Sequence, residues 1–471
     1  MILLTLAFIQ SVLISGPTIP PAQIDSAELA RFVDPLITAQ MAKENIPGAV
    51  FILAQNGKVV YERGYGFANV ANRTPVDPEK TIWRIGSISK VFTATAVVQL
   101  ADRGGFKLTD DVNRYLRQFK VPATFPQPVT FHHLLTHTAA FDEIRPGTRA
   151  DTEAELLPLG KFLSTKLIRL RPPGQVISYS TYGMTLAGHL VEQVSGVDFE
   201  TYMTRNIFRP LGMLRSNITV PDSLKKDLAQ GYEWDNGANQ LASWEWYHTT
   251  PASSINGTAA DMGRFIIAHL QNGRLGSTRI MSEAAARDMH RRHTGSHAEL
   301  GGFAYGWQEA FVNGERMLQH GGNVEGFAAQ MAMIPARGVG WFIASQHEPA
   351  QLKDVIQQAL IDHYYPAKKQ PKPAVAMAGY QSRAQRFVGT YELNQFCHTC
   401  GSDRRVYWRA EVKANPDGTL SITGQREPFV EVAPLLFKGV SGRGTVAFRE
   451  DSSGKITQLA GDSWIVFERI K

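Results

Sequence analysis

The hydrophobic pattern of this chain changes period once, and that change limits the folds open to it. Up to about residue 365, apolar residues recur at helical spacing and alternate with short apolar runs of strand length. Leu29, Phe32, Val33, Leu36, Ile37 and Met41 share one face of a helix expected over residues 26–45, capped by Asp25 or Ser26 and either kinked at Pro35 or beginning late because of it. The apolar runs 49–53 and 59–61 flank Asn56-Gly57, a pair that accepts positive φ at both turn positions and so predicts a hairpin. Further helices are expected from Ser87 to Gly104 and over residues 130–136, 182–195 and 259–270, with adjacent strands at 329–334 and 340–344. Residues 366–386 are polar and carry prolines, which marks a linker. Beyond them, residues 390–393 and 405–408, then Leu420/Ile422, Phe429/Val430/Val432, Val446/Phe448 and Trp464/Val466, follow the pattern of strands between Gly and Asp turns. The expected fold class is α+β over residues 23–365, followed by a small all-β domain over 387–471.

With 471 residues, 43% of them hydrophobic and 20% charged, the chain can bury ordinary cores; bulk disorder and a disulfide-dense scaffold are excluded. The formal charge of +6 is spread without a run of five or six like charges, so nucleic acid is not an expected partner. Residues 1–15 hold no charged side chain and are nearly all apolar, yet the run is too short to span a bilayer. Residues 1–22 are therefore expected to be a secretory signal, which places the mature chain in the periplasm or outside the cell, with no transmembrane helix. In that compartment Cys397 and Cys400, the only cysteines, are expected to form a local disulfide. Zinc would need ligands beyond His398, and the flanking strands do not suit a thioredoxin-like pair.

The chemistry begins at Arg84-Ile85-Gly86-Ser87-Ile88-Ser89-Lys90, where Ser87 and Lys90 stand three apart at a helix start and share a face. A serine hydroxyl is a poor nucleophile until a base takes its proton, and a lysine one turn away can do so when burial or neighbouring charge makes it a better base. The same spacing at Ser223–Lys226 and Ser452–Lys455 opens no apolar helix, so neither is expected to be a site.

Other stretches give that tetrad its context. Phe67-Ala68-Asn69, residues 83–94, His133-Leu134-Leu135-Thr136-His137-Thr138, Pro210-Leu211-Gly212-Met213 and Thr258-Ala259-Ala260-Asp261-Met262 together resemble, in order and spacing, the serine β-lactamase and penicillin-binding superfamily, especially its class C-like branch. The resemblance covers roughly residues 26 to 365. It implies an antiparallel sheet flanked by helices, an all-α subdomain and an active site between them. The β-rich tail is similar to the lipocalin-like barrels appended to some relatives.

The resemblance also implies site residues. Tyr179 falls at the tyrosine of the family's Tyr-x-Asn and would relay protons between nucleophile and leaving group. Thr181 stands where asparagine is usual, replacing an amide donor and acceptor with one short hydroxyl, so weak β-lactamase activity is expected. Gln319-His320-Gly321-Gly322-Asn323 resembles the Lys-Thr-Gly strand in a His-x-Gly variant. Gly321 and Gly322 would let substrate lie along the strand edge. His320 would supply hydrogen bonding, and charge only at lower pH, so activity is expected to vary near its titration. The Ser87 and Asn323 amides would form the oxyanion hole.

The expected activity is hydrolysis of ester, amide or β-lactam carbonyls through a Ser87 acyl-enzyme, with Lys90 and Tyr179 moving the proton and no metal or organic cofactor. The expected partners are small-molecule esters, D-amino-acid peptides or β-lactams, and peptidoglycan. Two other readings stand beside this: a penicillin-binding or peptidoglycan-sensing protein that acylates without useful turnover, and a non-catalytic scaffold. His132, His133 and His137 have metal-like spacing without an accompanying carboxylate, which favours structural hydrogen bonding. Trp244, Trp246 and Tyr247 fit either a cleft lining or a satellite core.

Overall fold

The computed structural model describes residues 23–144, 146–348, 350–368, 371–401, 408–461 and 465–470. The expected signal segment lies outside these residues, as do Arg405, Val406, Tyr407 and Trp464 of the expected strands.

Helix α1 (Ser26–Glu44) starts where the Asp25 carboxylate accepts the Glu28 amide at 2.8 Å. It contains Pro35 in its interior, so of the two expectations the late start does not hold. Proline removes one helical hydrogen bond, but Leu29, Val33, Ile37 and Met41 all bury against the sheet and hold the helix through that position. Strands β1 (Gly48–Gln55) and β2 (Lys58–Asn69) form the expected hairpin, with Asn56 at φ 52° and Gly57 at φ 80°. Much later the chain supplies β3 (Gln308–Val312), β4 (Glu315–Val324), β5 (Phe327–Ile334) and β6 (Val339–Gln346).

These strands make an antiparallel nine-stranded sheet in the order Thr294–Gly295, Gly302–Phe303, β3, β4, β5, β6, β1, β2, Thr74–Pro75. The amino-terminal hairpin therefore pairs with the last strand, Ala49 opposite Ser345 and Leu53 opposite Trp341. β1, β5 and β6 are buried along their whole length because both faces of the sheet are covered, which is why they read as continuous apolar runs. One face packs on α1 and the helix Leu352–Tyr364, the other on α2 (Ser89–Asp102) and the helix Ala259–Leu270. Between those last two helices lies a region of short helices and loops whose longest element is α3 (Thr181–Ser195).

Short helical turns at Tyr380–Arg383 and Ala384–Phe387 lead into a closed eight-stranded antiparallel barrel running from Gly389–Leu393 to Val466–Arg469. Phe387, Tyr391, Phe429, Phe437, Phe448 and Phe467 pack together as its core. The barrel docks on the larger domain: Leu436, Ala447, Ala460 and Val466 bury against Val176, Ile177, Tyr179 and Phe303. Arg171 pairs with Glu468, and Lys438 with Glu299 at 2.8 Å. Cys397 and Cys400 are joined as a disulfide. Among the described residues, no helix is long and apolar enough to cross a membrane.

Candidate active site

Ser87 lies in a 3-10 turn, Gly86–Ile88, immediately before α2 rather than within it. The turn is pressed against β4 by two glycines. Gly86 takes φ 53°, and a β-carbon there would sit 2.9 Å from the Asn323 nitrogen. A β-carbon on Gly322 would fall 1.9 Å from the Ile85 carbonyl oxygen and 3.1 Å from the Ser87 nitrogen. This close backbone approach sets the Ser87 and Asn323 amides beside each other at the strand edge. Gly321 faces away, toward Gln330. Gly322→Ala is expected to push β4 off the serine turn and slow fluorophosphonate labelling of the protein about a hundredfold, because a misplacement of about 1 Å at reacting groups has that cost. Labelling at the wild-type rate would show that the approach is dispensable.

Lys90 occupies the first turn of α2 with no solvent exposure. Its Nζ is 2.9 Å from Ser87 Oγ and 3.0 Å from the Ala252 carbonyl oxygen. The same nitrogen lies 5.0 Å from the centre of the Tyr179 ring. Burial pushes the Tyr179 phenol up, a hydrogen bond with Ser87 pulls it part of the way back, and the nearby Glu143 charge raises it again. His137 stacks on that phenol at 4.4 Å, and its Nδ1 accepts the Ser180 amide at 3.0 Å, which leaves the ring proton on Nε2.

His320 is buried on β4 with its ring 6.0 Å from that of Tyr179. Its Nδ1 donates to the Gly321 carbonyl at 2.7 Å, so the neutral ring presents Nε2 as an acceptor. Burial, and then the Lys90 charge, push His320 down to about 3. Enclosure therefore shifts the expected His320 titration well below the ordinary imidazole range, and near neutral pH the ring acts through its hydrogen bonds. Thr181 opens α3, and its amide is held by both oxygens of the Glu143 carboxylate at 3.0 Å.

Ser87, Tyr179, Thr181 and Asn323 line one cleft of about 1130 Å³. The sequence reading did not anticipate several of its other walls. Glu143 comes from the loop after the short helix Phe131–Leu135, Arg149 from a two-residue strand, and Glu325 and Glu348 from the ends of sheet strands. Gln395, Cys397 and Cys400 reach in from the barrel. The one available signal was the pair Asp142-Glu143 closing an otherwise apolar Ala139-Ala140-Phe141 run, where acids are costly unless used. A bond with the Glu233 carboxyl, then burial and the charges of Glu245, Glu233 and Glu348, push Glu325 up to about 7.

Tyr247 also lines the cleft, whereas Trp244 lies under the Arg84 guanidinium at 4.3 Å. His132 Nδ1 is 3.0 Å from the Tyr305 hydroxyl, and His133 completes the cap of its own helix by accepting the Thr130 amide at 3.1 Å. Among the described residues, no three His, Cys, Asp or Glu side chains gather where they could hold a metal ion. Ser223 and Ser452 are exposed on the surface.

Comparison with known proteins supports this picture of the fold. The chain is 24% identical over 320 residues to Protein flp of Staphylococcus aureus (strain N315), covering 65% of this chain and 61% of that protein. It therefore spans less than two thirds of that relative's length. Beta-lactamase-like protein 4 of Dictyostelium discoideum is 26% identical over 396 residues, which is 76% of this chain and 68% of that one. Two solved structures superpose over 94% of this chain and the whole of theirs: the octameric penicillin-binding protein homologue from Pyrococcus abyssi, with a TM-score of 0.61 at 24% identity, and SurE, with 0.66 at 20%. The sequence pattern described as Beta-lactamase matches residues 33–364, most of the chain, and on that match the protein belongs to the beta-lactamase family.

Proposed function

We propose that the protein hydrolyses esters or amides through an acyl-enzyme on Ser87, favouring acyl donors that carry no carboxylate. The reading rests on one observation: the Lys90 amine and the Ser87 hydroxyl are 2.9 Å apart on the wall of a cleft that Tyr179 also lines. The Lys90 amine, once it has released its own proton to solvent, takes the hydroxyl proton as Ser87 Oγ bonds to the carbonyl carbon. The oxyanion so formed meets the adjacent amides of Ser87 and Asn323. Tyr179, bonded to Ser87, passes the proton to the leaving oxygen or nitrogen as its bond to carbon breaks. Water then attacks the acyl carbon by the reverse path and frees Ser87.

The charge of the cleft supports the choice of substrate. The ionisable lining residues described are Glu143, Glu325, Glu348 and Arg149; Glu325 is partly protonated near pH 7, and the Arg149 guanidinium is paired with Glu245. An acid-rich wall and a neutral His320 favour neutral or cationic acyl donors over β-lactams and peptides that bring a carboxylate beside the reacting carbonyl.

Intact-mass measurement over time tests the proposal. A p-nitrophenyl ester is expected to add its acyl mass to Ser87 and lose it within the turnover time, while benzylpenicillin adds slowly. An ester adduct that never decays supports the penicillin-binding reading instead. Ester turnover retained in Ser87→Ala would end the assignment.

A further inference from the structure

The barrel contributes a wall to the catalytic cleft, and the way it is attached singles out one loop. Residues 394–401 leave the first barrel strand and reach across the domain boundary. Asn394 Nδ2 donates to the Ile177 carbonyl at 2.7 Å, two residues before Tyr179. Further along, the fully buried Asp142 carboxylate accepts the His398 amide at 2.8 Å, the Thr399 amide at 3.1 Å and the Thr399 hydroxyl at 2.6 Å. Asp142 directly precedes Glu143, which holds the Thr181 amide. The loop is thus tied directly to the backbone just before Tyr179 and, through Asp142 and its neighbour Glu143, indirectly to the Thr181 amide. Its short span is closed by the Cys397–Cys400 disulfide, and Gln395, Cys397 and Cys400 all line the same cleft as Ser87.

We propose that this disulfide-closed loop is the specificity-determining end wall of the cleft, limiting the bulk of the acyl donor beyond Tyr179 and Thr181. The inference rests on the Ser87 acyl-enzyme reading and names the part of the substrate it selects. Four features act together. Asp142 is a positioning residue: fully buried, it accepts from three donors of the loop and fixes where the wall stands. The disulfide closes a four-residue ring within the loop and so narrows the shapes the wall itself can take. Gln395 presents a side chain to the cavity. The apolar contact of Val466 and Leu436 with Val176 and Ile177 seats the barrel beneath it. A wall held in this way discriminates by volume, and one or two methylenes refused by a rigid pocket change relative rates by about tenfold.

The test compares p-nitrophenyl octanoate with p-nitrophenyl acetate as a ratio of kcat/KM, using the full chain. Opening the wall by Cys397→Ser with Cys400→Ser, or by dithiothreitol reduction of the wild-type protein, is expected to raise the octanoate-to-acetate ratio by about fivefold or more. Gln395→Trp, which adds bulk at the same wall, is expected to lower it by a similar factor. The reduced wild type and Gln395→Trp decide the matter if the double variant does not accumulate as folded protein. A ratio within about twofold of wild type in both would overturn the proposal, since a wall that matters must respond to bulk. Fluorophosphonate labelling keeps the two readings apart. If the wild type labels at Ser87 and the ratios do not move, only the wall is wrong; if it does not label, the acyl-enzyme reading fails first.

Discussion

Ser87→Ala and Lys90→Met are each expected to lower kcat/KM for a p-nitrophenyl ester by about four orders of magnitude, and the double variant by no more than either alone. Groups that act on one proton in one step lose their whole effect when either is removed. The Lys90 nitrogen has Ser87 Oγ at 2.9 Å and the Ala252 carbonyl oxygen at 3.0 Å. Methionine is chosen because Lys90 is fully enclosed, and an unbranched apolar chain fills the same tunnel without leaving an uncompensated charge. Steady-state rates measured beside thermal midpoints check the result. Additive losses in the double variant would mean that Lys90 and Ser87 work separately, which the 2.9 Å contact argues against.

Unfolding resistance is expected to fall steeply below about pH 6 through a set of buried imidazoles. Burial is the first cause for each, and it pushes His133 and His293 down to about 4 and His290 and His320 to about 3, from an ordinary value of 6.5. The unfolded chain takes up protons at these positions as pH drops through 6.5, while the folded chain does not. The stabilisation they give is therefore complete above that value and is lost as pH falls toward 3 to 4. Each group contributes a slope of about 1.4 kcal/mol per pH unit between its two values. Urea midpoints between pH 7 and 4.5 measure this, and His320→Gln should remove one group's share of the slope. Midpoints that stay level to pH 4.5 would mean that these rings take protons without unfolding.

Much of the scaffold was legible because its signals are local. Asn56-Gly57 dictates a tight hairpin by its φ preferences alone, and Ala259–Leu270 shows its helix in apolar spacing. The tetrad at Ser87, the stretch 133–138 and the strand His320–Asn323 were readable as motifs; the structure sets Ser87 and Asn323 on one cleft and stacks His137 on the Tyr179 ring that also lines it. Distances of that kind do not show in a sequence. Asp142 meets His398 across 256 positions, and no periodicity links an acid in one loop to an amide in a barrel. The neutral state of His320 was hidden for a related reason: it depends on Lys90, 230 positions away, and on burial by strands made later. Pro35 did not delay the helix, since the apolar face it interrupts is buried on either side of it.

The placement of β1 between β2 and β6 bears on how the polypeptide matures during synthesis. The hairpin of β1 and β2 emerges early, but the partner for its other edge, Val339–Gln346, is made only near the end of the larger domain. Until then a ribosome carries a strand whose residues are destined for complete burial, with one open row of amides and carbonyls. Such a nascent chain is a natural client for a holding chaperone, and a slow pause before residue 339 would lengthen its exposure to self-association.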